Sequence, residues 1–141
     1  MARVYLKLSE QRQVSARAQG RCEYCQCRAD CSANPFVIEH ITPVSGGGKH
    51  DLANLALACP GCNGHKYNKT HALDPLDGKT VALYHPRRQT WPDHFAWSED
   101  LTLVVGLTPT GRATVAALQL NRAGVINLRQ LLMLAGKHPP E

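Results

Sequence analysis

The sequence contains no apolar run long enough to cross a lipid bilayer and no repeated unit. Its longest apolar stretches, such as Leu101 to Leu107, fall far short of the roughly 20 residues that a membrane helix needs. The first residues, MARVYLKLSEQRQ, hold no apolar segment of signal-peptide length. Charged residues make up only 19% of the chain and aromatic residues 6%, whereas 43% are hydrophobic, which is typical of a globular protein. We therefore expect a soluble, cytoplasmic protein.

Length and charge indicate the number of domains and the kind of binding partner. A chain of 141 residues forms one domain, or a small domain with an extension. The formal net charge is +5, and residues 1–70 hold nine basic against five acidic side chains, compared with seven against six in residues 71–141. Because lysine and arginine that neutralise phosphates release condensed counterions, a phosphodiester polymer is the natural partner of the basic half.

The cysteines of the basic half form two pairs with the same spacing. Cys22 and Cys25 make the first Cys-x2-Cys pair, and Cys59 and Cys62 make the second, with 33 residues between the pairs. Two such pairs in a chain without a secretion signal predict a tetrahedral, structural Zn2+ site rather than disulfides or isolated buried thiols.

Two further cysteines, Cys27 and Cys31, follow the first pair closely. Either one can replace a neighbouring cysteine as a zinc ligand, because the short peptide between them can bend back. The alternative is that both are free thiols beside the site, and this is the interpretation we favour.

The stretch between the cysteine pairs predicts a strand, a loop, a second strand and a short helix. Residues 37–41 are largely β-branched around Glu39 and His40, and Pro43 and the glycines at 46–48 end this strand in a loop. Residues 55–58, LALA, are the expected return strand. The Cys59–Cys62 knuckle then leads into the polar run 63–69, which we expect to be helical.

This ordered set closely resembles the HNH endonuclease family, whose catalytic unit is the ββα-metal or His-Me finger. The residues that carry the resemblance are Glu39, His40, Ile41, Pro43, Gly46, Gly47, Asn54, Leu55, Cys59, Cys62, Asn63 and Lys66. The resemblance implies an α+β fold with a ββα-metal core, a four-cysteine zinc knuckle and a small α/β C-terminal extension. We expect residues 1–75 to form the nuclease core and residues 76–141 an extension packed on it.

The catalytic role of His40 follows from its chemistry, whereas the roles of Glu39, Asn63 and Asn54 are implied by the resemblance. His40 can take a proton from water at neutral pH, because an unperturbed imidazole has a pKa of about 6.5, and it is the expected general base. The resemblance implies that Glu39 and Asn63 hold a single catalytic divalent ion, Mg2+ or Mn2+, although Glu39 stands where the family most often has Asp or His. It also implies that Asn54 holds the imidazole through the loop backbone.

The helix after the second knuckle offers a rival ligand. Asn63 and Lys66 are three residues apart and share a helix face, whereas His65 is turned well away from Asn63. We therefore prefer Asn63 to His65 as the ligand, and expect Lys66 to face the scissile phosphate.

The residues on both sides of the motif region predict further helices and strands. Residues 91–97 and 106–114 look like the tail found on a group of small bacterial HNH endonucleases, and Arg87, Arg88 and Arg112 are its candidate phosphate contacts. The expected elements are an extended segment 4–8, a helix capped by Ser9 and ended by Gly20, strands 80–84 and 101–105, and helices 108–120 and 125–135.

Two functions fit these residues. The first is a metal-dependent DNA endonuclease that hydrolyses phosphodiester bonds, and the second is a catalytically inactive, zinc-containing module that binds nucleic acid. The combination of Glu39, His40 and Asn63 favours the enzyme, because a pure binding module has no need of a base beside an acidic ligand.

Overall fold

The computed structural model describes residues 6–140, which form an α+β fold with three separate two-stranded antiparallel sheets. The helices are α1 (Leu8–Arg17), α2 (Pro60–Lys66), α3 (Trp91–His94), α4 (Pro109–Ala117) and α5 (Ala123–Leu134). The strands are β1 (Val37–His40), β2 (Leu55–Ala58), β3 (His71–Leu73), β4 (Thr80–Ala82), β5 (Phe95–Trp97) and β6 (Val104–Gly106). The expected fold class is confirmed.

The first sheet and α2 form the ββα unit. β1 pairs antiparallel with β2, in a register that places Glu39 opposite Ala56 and His40 opposite Leu55. All four residues of β2 are buried, which agrees with its uninterrupted apolar sequence. α2 begins at Pro60 instead of residue 63, because the Cys59 sulfur accepts a hydrogen bond from the Cys62 N–H and caps the first turn.

The N-terminal helix starts two residues earlier than expected. Lys7, not Ser9, is the N-cap residue, and its N–H donates to the Glu10 carboxylate at 3.1 Å. At the other end, the Gly20 N–H donates to the Ser15 carbonyl, so Gly20 closes the helix as predicted. Of the predicted extended segment 4–8, residues 4 and 5 lie outside the described residues.

A hairpin connects the ββα unit to the rest of the chain. β3 pairs antiparallel with β4 across the turn at 74–79, which contains the predicted boundary between residues 75 and 76. The Arg112 guanidinium, on α4, binds the buried Asp74 carboxylate in the turn through two hydrogen bonds of 3.0 and 2.7 Å.

The predicted position of the strand at 101–105 is wrong, because the strand spans Val104–Gly106. Leu101 has a φ of +66° and lies in a turn, where the Asp100 carboxylate accepts hydrogen bonds from the Thr102 N–H and hydroxyl. The strand β6 starts only at Val104, and it pairs with β5. The local hydrogen bonds of Asp100 explain why an apolar run began as a turn.

The C-terminal part of the chain shares a core with the first cysteine knuckle. Phe95, Leu118 and Leu120 are buried in the same cluster as Tyr24 and the zinc-knuckle cysteines. The Trp91 indole N–H donates to the Tyr24 carbonyl at 2.9 Å, and Trp91 and Trp97 pack against this cluster. None of the helices within residues 6–140 is long and apolar enough to span a membrane.

Candidate active site and metal centre

The two cysteine pairs meet in one buried cluster. The sulfur atoms of Cys22, Cys25, Cys59 and Cys62 all lie within 4.8 Å of one another, and all four residues are buried. The Cys25 and Cys59 sulfurs are 3.7 Å apart. Tetrahedral zinc with Zn–S bonds of about 2.3 Å separates its sulfur ligands by about 3.8 Å, so this donor set fits Zn2+. The predicted four-cysteine cluster is confirmed.

Cys27 and Cys31 lie outside this group of four. The Cys27 sulfur is 3.2 Å from that of Cys25, and the Cys27 carbonyl accepts the Cys22 N–H at 2.9 Å, which closes the knuckle turn. The Cys31 thiol lies 3.4 Å from the Asp30 carboxylate. Cys27 therefore borders the cluster, whereas the Cys31 thiol contacts Asp30.

One arginine from the C-terminal extension covers the cluster. The Arg122 guanidinium lies 3.5 Å from the Cys59 sulfur and 3.6 Å from the Cys62 sulfur. Burial lowers the pKa of Arg122, but the Cys62 and Cys59 sulfurs outweigh this and raise the pKa above its usual value. A methyl group on Gly61 would lie 2.7 Å from Arg122 Nη2, so the absence of a side chain at residue 61 gives the guanidinium its place. Nothing in the sequence pattern indicated Arg122.

Three of the five predicted catalytic and catalytic-metal residues border one open pocket, whereas Asn54 and Lys66 do not. Glu39 and His40 from the end of β1 and Asn63 from α2 border a cavity of about 340 Å³, together with Ser45 and Tyr67. Adjacent strand residues face opposite sides of a pleat, yet Glu39 and His40 both border this cavity at the end of β1, where the Glu39 side chain is only 4% exposed. His65 does not line the pocket.

A second histidine contacts His40. The His50 Nδ1 lies 3.0 Å from His40 Nε2, while His50 Nε2 is buried without a partner among the described residues. Burial, and secondarily His50, lower the pKa of His40, so the imidazole is neutral at neutral pH and able to accept a proton. The sequence indicated no role for His50, because its spacing from His40, ten positions along the chain, is not that of a recognisable motif.

The Asn54 side chain forms hydrogen bonds with the backbone at both ends of the loop 42–49, which directly precedes His50. Its side-chain carbonyl accepts the Thr42 N–H at 2.9 Å, and its amide donates to the Thr42 and Lys49 carbonyls at 2.9 and 2.8 Å. The Asn54 carbonyl also accepts the Ile41 N–H at 2.8 Å. Asn54 thus fixes the backbone just after His40 and just before His50.

The carboxylate of Glu39 is held by two buried partners. The Tyr24 hydroxyl, from the first cysteine knuckle, donates to Glu39 Oε1, and the Lys66 ammonium lies 3.4 Å from Oε2. Burial raises the pKa of Glu39, against the opposing effects of Lys66 and Tyr24. Only 4% of the Glu39 side chain is exposed.

The position of Lys66 differs from the expected one. Its side chain is 2% exposed, and its ammonium donates to the Ile41 carbonyl at 2.7 Å instead of facing the pocket. A lysine so enclosed needs an anionic and a carbonyl partner, and Glu39 and Ile41 provide them. Lys66 is therefore placed to position Glu39 rather than to contact a phosphate in the Asn63 pocket.

The comparisons with known proteins agree with this arrangement over one part of the chain. Residues 22–69 match the HNH endonuclease family, and this match spans both cysteine pairs, the first sheet and α2. No curated protein matches the chain.

Proposed function

From the HNH endonuclease match over residues 22–69, we propose that this protein is a metal-dependent DNA endonuclease. The observation that carries the proposal is the single pocket lined by Glu39, His40 and Asn63. A base, an acidic ligand and a neutral oxygen ligand that converge on one open cavity are the groups that phosphodiester hydrolysis needs.

His40 is the general base in this proposal. Its neutral imidazole takes the proton of the attacking water, and the contact with His50 and the loop fixed by Asn54 restrict the orientation of the ring. The Tyr24 hydroxyl and the Lys66 ammonium hold the Glu39 carboxylate in place. Preorganised groups of this kind avoid the cost of reorientation during the reaction.

The pocket fits a weakly held divalent ion. One carboxylate and one amide oxygen leave room for several water ligands, which is the coordination that Mg2+ prefers. When bound, the ion would supply Lewis-acid stabilisation of the charge that develops on the phosphate. Zn2+ would occupy the buried four-cysteine cluster and stabilise the fold.

A second function is favoured by one observation. Both oxygens of Glu39 already face a buried partner, Tyr24 or Lys66, which leaves this carboxylate less available to an ion. A protein in which Glu39 stays in that arrangement would keep the zinc cluster and bind nucleic acid without cutting it. The two functions differ in whether DNA is nicked when a divalent ion is added.

Replacing the amide ligand tests the metal-binding part of the proposal. We expect Asn63→Ala to shift the Mn2+ concentration needed for half-maximal plasmid nicking upward by roughly tenfold or more, because the change removes one of two protein ligands. His65→Ala is the matched control on the same helix and should leave the Mn2+ dependence unchanged. A larger shift for His65→Ala than for Asn63→Ala would identify His65 as the ligand.

Replacing Arg122 tests the zinc centre from outside its ligand set. A tetrathiolate zinc site carries two negative charges, and Arg122 is the guanidinium that lies against Cys59 and Cys62. We expect Arg122→Ala to weaken zinc binding by roughly 10-fold to 100-fold in a chelator competition, which is the usual effect of losing an outer-shell partner.

A second variant, at Gly61 on α2, disturbs the same contact between Arg122 and the cysteine sulfurs. Gly61→Ala should weaken zinc binding as well, because its methyl group displaces the Arg122 guanidinium, although alanine is otherwise the better helix former. Arg12→Ala, on the exposed surface of α1, is the control. Unchanged zinc affinity in both Arg122→Ala and Gly61→Ala would contradict this role.

A further inference from the structure

The surface beside the catalytic pocket contains a groove with unused cationic and hydrogen-bonding groups. We propose that the groove lined by Arg88, His85 and Lys49, named here the extension groove, binds a backbone phosphate of the substrate DNA. This inference rests on the proposed function and adds a substrate-binding site to which the C-terminal extension contributes His85 and Arg88.

The groove consists of two adjoining cavities. One, of about 390 Å³, borders the loop at Lys49, and the other, of about 270 Å³, borders β4. Thr42, His85 and Arg88 line both, so the two cavities adjoin at these residues. Asp51 is the one acidic residue among its described lining residues, which leaves the groove with an excess of positive charge.

The structure sorts the three arginines that the sequence offered as phosphate contacts. Arg87 is paired with the Glu23 carboxylate, and Arg112 with Asp74. Arg88 is exposed, and within residues 6–140 no carboxylate lies within 4.0 Å of its guanidinium. Its full charge and its five N–H donors therefore remain available to an anion.

His85 adds a directed donor to the same groove. Its Nδ1 accepts the Arg87 N–H at 3.2 Å, so in the neutral ring the hydrogen is on Nε2. Burial, followed by the neighbouring Arg88, lowers the pKa of His85 and keeps the ring neutral. The His85 side chain lines both cavities, and an imidazole N–H beside a guanidinium is a suitable pair for a phosphate oxygen.

The groove and the catalytic pocket share the same loop. Lys49 directly precedes His50, which contacts His40, and Thr42 lies two residues after His40. Asn54 binds the backbone of both Thr42 and Lys49. A phosphate held in the groove therefore fixes the DNA strand relative to the loop that supports the base.

A cavity elsewhere on the protein is larger than either part of the groove, but it is a weaker candidate for phosphate binding. It has a volume of about 510 Å³ and is lined by Arg21, Arg28 and Lys137. The Arg28 guanidinium is already bound to the Asp30 carboxylate by two hydrogen bonds of 2.9 and 2.7 Å. None of its lining residues belongs to the loop 42–54.

The test is the salt dependence of DNA binding by Arg88→Ala. Fluorescence anisotropy with a labelled DNA duplex, in buffer without added Mg2+ or Mn2+, measures affinity without cleavage. Because each neutralised phosphate contributes roughly 0.9 to the slope of log affinity against log salt, we expect the slope of Arg88→Ala to fall by about 1. Arg88→Lys should retain most of the slope, since it keeps the charge.

The controls separate this inference from the proposed function. Arg12→Ala removes another exposed arginine, on α1, and should keep the wild-type slope. A wild-type protein that binds DNA with a clear salt slope, matched by an identical slope for a folded Arg88→Ala, would overturn the groove and leave the endonuclease proposal intact. A wild-type protein that neither binds nor cuts DNA would overturn both.

Discussion

Replacing His40 with alanine should reduce DNA cleavage by roughly 100-fold to 10,000-fold, the usual contribution of a general base. The side chain lies at the end of β1, where it lines the pocket with Glu39 and Asn63 and is half-buried rather than part of the core. DNA binding should persist, because the zinc cluster and the basic surface remain. Single-turnover nicking of supercoiled plasmid, with DNA binding measured in parallel, checks both expectations.

His65→Ala serves as a matched histidine control, since His65 lies nearby on α2 but outside the pocket. It should cut at the wild-type rate. A His40→Ala protein that cuts as fast as the wild type would mean that the base is another group, or that the cleavage comes from a contaminating nuclease.

Removing zinc should unfold the part of the protein that supports the site. The four cysteines are buried in the same cluster as Tyr24, Phe95, Leu118 and Leu120, so the loss of the ion would leave thiols at the centre of this core. Structural zinc contributes roughly 10–16 kcal/mol of apparent binding free energy in small zinc-dependent folds. We therefore expect one zinc per chain, and a cooperative loss of structure by circular dichroism when a strong chelator removes it.

Single cysteine variants identify the ligands. Cys22→Ser should lose most of the bound zinc, because Cys22 belongs to the cluster. Cys31→Ser should keep it, since the Cys31 thiol faces Asp30. Retained zinc in Cys22→Ser together with loss in Cys27→Ser would instead place Cys27 in the ligand set.

The sequence predicted those parts of the site that depend on short spacings. The two Cys-x2-Cys pairs, the adjacent Glu39 and His40, and Asn63 just after the second knuckle are local patterns, and the structure brings the members of each pattern together. The ββα order followed from the change between β-branched, glycine-rich and polar runs.

The contacts that the sequence did not predict join distant positions. Tyr24 contacts Glu39 across 15 residues, and Arg122 reaches Cys62 across 60. Neither pair has a spacing that a periodic pattern could show, because packing between separate elements places them. Lys66 illustrates the same limit: its helix face was predicted, but its burial against Glu39 depends on how α2 packs on β1.

The most direct test of the endonuclease proposal is the conversion of supercoiled plasmid to nicked or linear DNA by zinc-loaded wild-type protein, with and without Mg2+ or Mn2+. The proposal predicts cleavage with either ion, its loss after mild EDTA dialysis that leaves the buried zinc in place, and its return when the ion is added back. Salt-sensitive DNA binding without cleavage in any divalent ion would contradict the proposal and identify the protein as a nucleic-acid-binding zinc module.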